Sequence, residues 1–268
     1  MNIHPTAVVD HGALLGAGVV VGPFAVIDRD TQIGDGCVIG PHAVIHRYTS
    51  IGPGSRIHAG AVIGDLPQDL AFKPDTVSYV RLGAHCWIRE GVTIHRGTKP
   101  DTVTEVGDDC FLMVNSHLAH NVKLGNGVIL VNGALLAGYV EVGDNAFISG
   151  NAVVHQFVRI GRLAMLGGVS GVSKDVPPFC TAKSHEVNQI LGLNVVGLRR
   201  AGFKPEERLA LRSAFKVLYR SGLNISQAVE RIRGEFKEAI VIEFCDFIES
   251  SKRGICGMDT AVAGQEQE

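Results

Sequence analysis

Val106-Gly107-Asp108-Asp109-Cys110-Phe111-Leu112-Met113-Val114-Asn115-Ser116-His117-Leu118-Ala119-His120 opens a stretch, ending at Val172, whose beat is six residues long. Aliphatic side chains fall at Val106, Leu112, Leu118, Leu124, Leu130, Leu136, Val142, Ile148, Val154, Ile160, Leu166 and Val172. Glycine follows the aliphatic at Gly107, Gly125, Gly143, Gly161 and Gly167. A helix repeats its apolar face about every 3.6 residues and a half-buried strand about every 2, so a strict hexad fits neither. It fits a parallel β-helix built from hexapeptide rungs.

The same beat runs back towards the N-terminus through Ile63, Ile57, Ile51, Ile45, Ile39, Ile33, Ile27, Val21, Leu15 and Val9. Two positions before each aliphatic the residue is mostly small, as at Ala13, Ala25, Cys37, Ala43 and Ala61. Side chains alternate along an extended segment, so the small and the large residue both face inward. A thin interior and tight corners also account for 33 glycines and an aromatic content of only 6%. The beat breaks at about 65–80 and again at 96–104. Long excursions from a regular solenoid commonly carry function.

The β-helix is expected to span 1–185, with Pro177-Pro178 ending the ladder. From about Glu186 to residue 255 the pattern reads as helical. Lys204-Pro205-Glu206-Glu207 opens one helix, with proline and acids in its first turn. Leu211, Phe215, Leu218 and Tyr219 share a face of that helix. Asn224-Ile225-Ser226 starts a second helix, and 239–250 forms a third. Such a unit covers the open backbone edge of the last coil, which is a sufficient reason for its presence. Residues 256–268 are expected to be a disordered tail.

A formal charge of −2 argues against a general nucleic-acid surface. The six cysteines are scattered without a Cys-x-x-Cys pair, which points to buried small hydrophobes rather than a zinc site or disulfide framework. The start, Met1-Asn2-Ile3-His4-Pro5, lacks the charged and apolar regions of a signal peptide, and no run of about eighteen apolar residues occurs. A soluble cytoplasmic protein, not membrane-spanning, is the expectation.

Several motifs together carry a resemblance: the Gly-spaced hexads, His117-Leu118-Ala119-His120, Asn151-Ala152-Val153-Val154-His155-Gln156-Phe157 and Gly197-Leu198-Arg199-Arg200. Thr93-Ile94-His95-Arg96-Gly97-Thr98 and the segment with Tyr219-Arg220-Ser221-Gly222 extend it over nearly the whole chain. The sequence resembles the UDP-N-acetylglucosamine O-acyltransferase family, which performs the first step of lipid A biosynthesis. The resemblance implies a left-handed parallel β-helix with a C-terminal α-helical domain, assembled as a homotrimer with active sites between subunits. It implies transfer of a 3-hydroxyacyl chain from acyl carrier protein to the 3-hydroxyl of a UDP-sugar, with no cofactor and no metal.

A sugar hydroxyl is a poor nucleophile at neutral pH, so a positioned base must take its proton. Histidine suits that task, and the resemblance gives it to His120. It gives the backbone N–H of Gly138 to the oxyanion. His117, Asp69, Gln156 and His155 match contacts to the nucleotide sugar, and Asn194 and Arg200 match contacts made from a neighbouring subunit. Gly168 matches a position that sets acyl-chain length, and a glycine there implies a longer chain. Arg208, Arg212, Lys216 and Arg220 form a basic stripe suited to an acidic carrier protein.

With eighteen residues per coil, His120, Tyr139 and His155 should lie near one edge on successive coils. Alternation aims His120 inward unless a corner turns there, and His155 outward. The chain departs from the family pattern at Asn121, where an aspartate is common, at Tyr139, where a histidine is common, and at Ala71, Val196 and Ala201. These changes cluster on the acceptor side and leave open an acceptor with a 3-amino group, which would give an amide. A zinc enzyme of the γ-type carbonic anhydrase kind, with His117, His120 and His155 as ligands, is the alternative from another class.

Overall fold

The hexad aliphatics all turn inward, and the coils they line form a triangular left-handed prism. The computed structural model describes residues 2–258. Strands of two to four residues pair in parallel with the strand three positions along the chain, giving three sheets that are the faces of a left-handed β-helix. Val20 pairs with Val38, Val26 with Val44 and Gln32 with Ser50, so one coil takes eighteen residues. The first face holds 11 strands, the second 9 and the third 8.

Each coil stacks its aliphatics on those of its neighbours. Ile27, Ile45 and Ile63 are 1% exposed or less, while Val9 and Leu15 are half-buried because the first coil has a neighbour on one side only. Truncating one such residue, as in Leu118→Ala, costs about 2–5 kcal/mol in transfer and cavity terms. All six cysteines are free and buried, as their scattered spacing implied. Corner residues take left-handed backbone angles at Asn115, Asn121, Tyr139, Asn145, Asn151 and Phe157. Asparagine tolerates that region best among residues with a side chain.

The two excursions change the register. Arg56 pairs with Trp87, 31 positions on, and Trp87 with Phe111, 24 on, where the coils on either side keep eighteen. Both leave the helix at the same edge, between the second and third faces, after Val62–Asp65 and after Thr93–His95.

The ladder does not stop at Pro177-Pro178. Cys180–Ala182 still pairs in parallel with Met165–Leu166, and Ile190–Leu193 then adds an antiparallel strand. Helix therefore begins at Val195 rather than near Glu186. The helices are α1 (Val195–Arg200), α2 (Pro205–Arg220), α3 (Ile225–Glu235) and α4 (Ala239–Glu249). In α2 the Lys204 N–H donates to Glu207 Oε2 at 2.8 Å, and in α3 Asn224 Oδ1 accepts from the Gln227 N–H at 2.9 Å. These caps satisfy first-turn groups that water or nothing would otherwise meet.

The helices are tied to the last coils. Arg162 makes a two-pronged bond to Glu243 at 2.9 and 2.7 Å. Asp175, 1% exposed, accepts from the Arg159 N–H and the Ser251 hydroxyl. Of the expected tail, Cys256 is buried and Gly257 bridges Gln189, so the chain is still packed there. The remainder, 259–268, lies outside the described residues. No helix among the described residues is long and apolar enough to cross a membrane.

Candidate active site

His120 sits at the corner between the second and third faces, on the edge from which both loops leave. Alternation left the direction of His120 to the corner, and the corner turns it away from the core. The backbone turns at Asn121, which has φ 61°, and the imidazole stays partly accessible outside the core. Its column neighbours, at eighteen-residue steps, are Gly138 and Gln156; Tyr139 and His155 flank that column.

A Cβ at Gly138 would lie 2.6 Å from His120 Nε2 and 3.0 Å from Nδ1, so the ring fills the space above that glycine. Gly138 is buried, and its N–H donates to no acceptor among the described residues. His120 Nδ1 is 3.0 Å from Asn121 Oδ1. The same oxygen accepts from the Thr98 N–H at 3.0 Å and the Thr98 hydroxyl at 3.1 Å, and Thr98 Oγ1 is 2.9 Å from the Tyr139 hydroxyl. Tyr139 meets His120 edge to face, with centroids 5.1 Å apart, and stacks on Phe157 at 4.9 Å. Beside this group is a cleft of about 810 Å³ whose lining includes Asn121, Lys123, Tyr139, Phe157, Arg159 and Arg253.

His117 lies on the outer side of the second face, in register with Thr93 and Leu135. Its Nδ1 is 2.7 Å from Thr93 Oγ1. Burial, with His95 at 5.0 Å between centroids, pushes its pKa down to about 4, so the ring is neutral at pH 7. Burial also lowers the pKa of His95. His155 is exposed, as alternation implied; its Nδ1 is 3.1 Å from Gln156 O and 3.3 Å from an Arg253 nitrogen. Gln156 is exposed beside it.

The remaining candidates are spread further. Asp69 is exposed in the first loop, where its carboxylate caps a turn by accepting from the Ala71 N–H at 2.9 Å. Gly168 lies at another corner, between the first and second faces, and a Cβ there would meet only Gly150 O, at 3.7 Å. Asn194 caps α1: its Oδ1 accepts from the Gly197 N–H and its amide donates to Leu163 O, both at 2.9 Å. Arg200 is exposed in the last turn of α1, on the helical unit. One chain thus brings His120, Gly138, Gln156 and His155 to one edge, with His117 on the adjoining face.

Two participants escaped the sequence reading. Thr98 and Arg96 stand in Thr93-Ile94-His95-Arg96-Gly97-Thr98, noted above only as a motif. Arg96, 5% exposed, lies between the rings of Tyr48 (5.3 Å) and Phe72 (5.4 Å) and donates to Pro74 O. It thereby pins the first loop to the prism. Among the described residues no three His, Cys, Asp or Glu side chains converge as a metal cluster, so the zinc alternative gains no support from this chain.

Residues 30–65 and 104–138 match the bacterial transferase hexapeptide family (six repeats). Fold and repeats together define a hexapeptide-repeat transferase. Residues 175–256 match the family described as Udp N-acetylglucosamine O-acyltransferase; Domain 2. The UDP-N-acetylglucosamine acyltransferase from Campylobacter jejuni is 40% identical, over 96% of this chain and 100% of that one, with a TM-score of 0.90. That from Bacteroides fragilis is 40% identical over 94% and 98%, with a TM-score of 0.91. The Arabidopsis enzyme is 35% identical over 95% and 99%, at 0.82. The chain belongs to the UDP-N-acetylglucosamine O-acyltransferase family.

Proposed function

We propose that this chain transfers a 3-hydroxyacyl group from acyl carrier protein to the 3-hydroxyl of UDP-N-acetylglucosamine, in lipid A synthesis, with His120 as general base. The observation that carries this reading is the setting of His120. Its Nδ1 is engaged by Asn121, which leaves Nε2 for substrate, and its ring lies over Gly138, whose N–H meets no acceptor among the described residues. The sugar oxygen attacks the thioester carbonyl carbon while its proton passes to Nε2. The tetrahedral oxyanion is held by the Gly138 N–H. On collapse the carbon–sulfur bond breaks and the departing thiolate takes the proton back from Nε2.

The donor and acceptor sides follow the family resemblance. Asp69, His117, His155 and Gln156 hold the nucleotide sugar, and Asn194 and Arg200 reach it from a neighbouring subunit of a homotrimer. For Asn194 this requires giving up a helix cap, so Arg200, exposed and forked for phosphate, is the firmer of the two. The acyl chain lies across the second face, past the exposed Leu135 and Val153, towards Gly168. Acyl carrier protein docks on α1 and α2, where Arg199, Arg208 and Lys216, with the exposed Val195 and Leu209, line a groove of about 590 Å³. A carrier-protein donor places the enzyme in the cytoplasm.

A second reading rests on Asn121. A neutral amide stabilises an imidazolium less than a carboxylate does, and a 3-amino acceptor needs less help to attack. The test is acyl transfer from a panel of 3-hydroxyacyl carrier proteins to UDP-N-acetylglucosamine and its 3-amino analogue, with His120→Ala alongside. Transfer that drops about 10²–10⁴-fold in His120→Ala supports the proposal, and the better acceptor selects between hydroxyl and amine. No transfer to either sugar by folded protein overturns it.

A further inference from the structure

We propose that Thr98 is a positioning residue that dictates which ring nitrogen of His120 carries the hydrogen, and that it does so because residue 121 is asparagine. The inference rests on His120 being the base. An aspartate beside a histidine presents an acceptor whichever way it turns. An asparagine presents an oxygen on one side and an NH₂ on the other, and the wrong side would demand a bare Nδ1 and move the hydrogen to Nε2. The base would then be occupied.

Thr98 removes that ambiguity. A backbone N–H only donates, so the Asn121 atom 3.0 Å from the Thr98 N–H is the oxygen. The Thr98 hydroxyl, 3.1 Å away, gives its single hydrogen to the same oxygen. It therefore accepts from the Tyr139 hydroxyl at 2.9 Å. Asn121 Oδ1 has no hydrogen to give, so Nδ1 of His120, 3.0 Å away, is the donor. The hydrogens along Tyr139 O–H, Thr98 O–H, Asn121 Oδ1 and His120 Nδ1 are thus assigned, and Nε2 is left bare. Asn121 is also fixed by its own N–H, which donates to Thr104 Oγ1 at 2.7 Å.

The test is a double-mutant cycle of Thr98→Val with Asn121→Asp, read as kcat and KM, with ¹⁵N spectra of the histidine rings. Thr98→Val keeps the shape and the N–H but loses the hydroxyl, the second of the two donors that together hold the Asn121 oxygen towards His120. In the Asn121 background it should lower kcat about tenfold, the scale of one lost neutral hydrogen bond, with KM for the UDP-sugar unchanged. In the Asn121→Asp background the same change should cost less than about twofold, since a carboxylate needs no orienting. Thr98→Ser should restore kcat. The wild-type spectra should show His120 with its hydrogen on Nδ1. Equal losses in both backgrounds, or a hydrogen on Nε2 in the wild type, overturn the inference. If the wild type transfers no acyl group, the functional reading fails by itself, and the spectra still decide this one.

Discussion

The imidazole of His120 lies over Gly138, one coil further along, in the volume that any side chain at 138 would need. Gly138 does not have a left-handed backbone, so alanine is compatible with its dihedral angles. The nearest conflict is with the ring: a Cβ would stand 2.6 Å from Nε2. Gly138→Ala should therefore displace His120 and leave the β-helix intact. Turnover should fall about 100-fold, as expected for a catalytic group misplaced by about 1 Å, while thermal unfolding shifts little. Wild-type turnover in this variant would mean that the position of the ring over Gly138 is unimportant.

Gly168 poses the opposite case. Its added Cβ finds only Gly150 O at 3.7 Å, so a side chain there projects into open space between the first and second faces. If the acyl chain ends at this corner, Gly168→Met narrows its room without harming the fold. Each methylene that loses its place costs about 0.8 kcal/mol, so a chain shortened by two carbons should be preferred by roughly tenfold. Competition between 3-hydroxyacyl carrier proteins of different lengths measures this. An unchanged length preference would remove Gly168 from the acyl path.

How much of this was legible beforehand follows from what each residue depends on. The inward aliphatics are fixed by hexad and alternation, and Leu112, Leu118 and Leu130 are fully buried as that pattern requires. The direction of His120 depends instead on a backbone angle of 61° at Asn121, which periodicity does not encode. Alternation therefore left the direction of the ring to the corner, and the close approach of the imidazole to Gly138 could not be read from it. Thr98 reaches Asn121 only because the second excursion folds back over its own edge, a tertiary fact. Ile190–Leu193 carries no hexad; it is a strand through its pairing with Cys180–Ala182.

The half-buried His117 makes stability depend on pH. His117 has its pKa lowered to about 4 in the folded protein, against about 6.5 unfolded. As pH falls below about 6.5 the unfolded chain takes the proton first, so stability is present above that value and is lost down to about 4. The full difference corresponds to at most about 3 kcal/mol for this one ring. Urea midpoints at pH 7, 5.5 and 4.5 should fall steadily in the wild type and more shallowly in His117→Asn. Parallel slopes would show that His117 is not held neutral by its surroundings.

The carrier-protein surface is testable apart from the chemistry. Lys216 is exposed and Arg208 half-buried on one side of α2, with the exposed Leu209 beside them. Lys216→Glu reverses a charge at the groove rim and touches no residue near His120. Electrostatic steering acts on encounter with an acidic partner, so KM for the acyl carrier protein should rise about tenfold at low salt. Neither kcat nor KM for the UDP-sugar should change. Added salt should shrink the difference, because exposed charges are screened within about 10 Å at 0.1 M. A rise in KM for the sugar instead would put the nucleotide, not the carrier protein, on this face, and α2 would belong to the acceptor side of a neighbouring subunit's site.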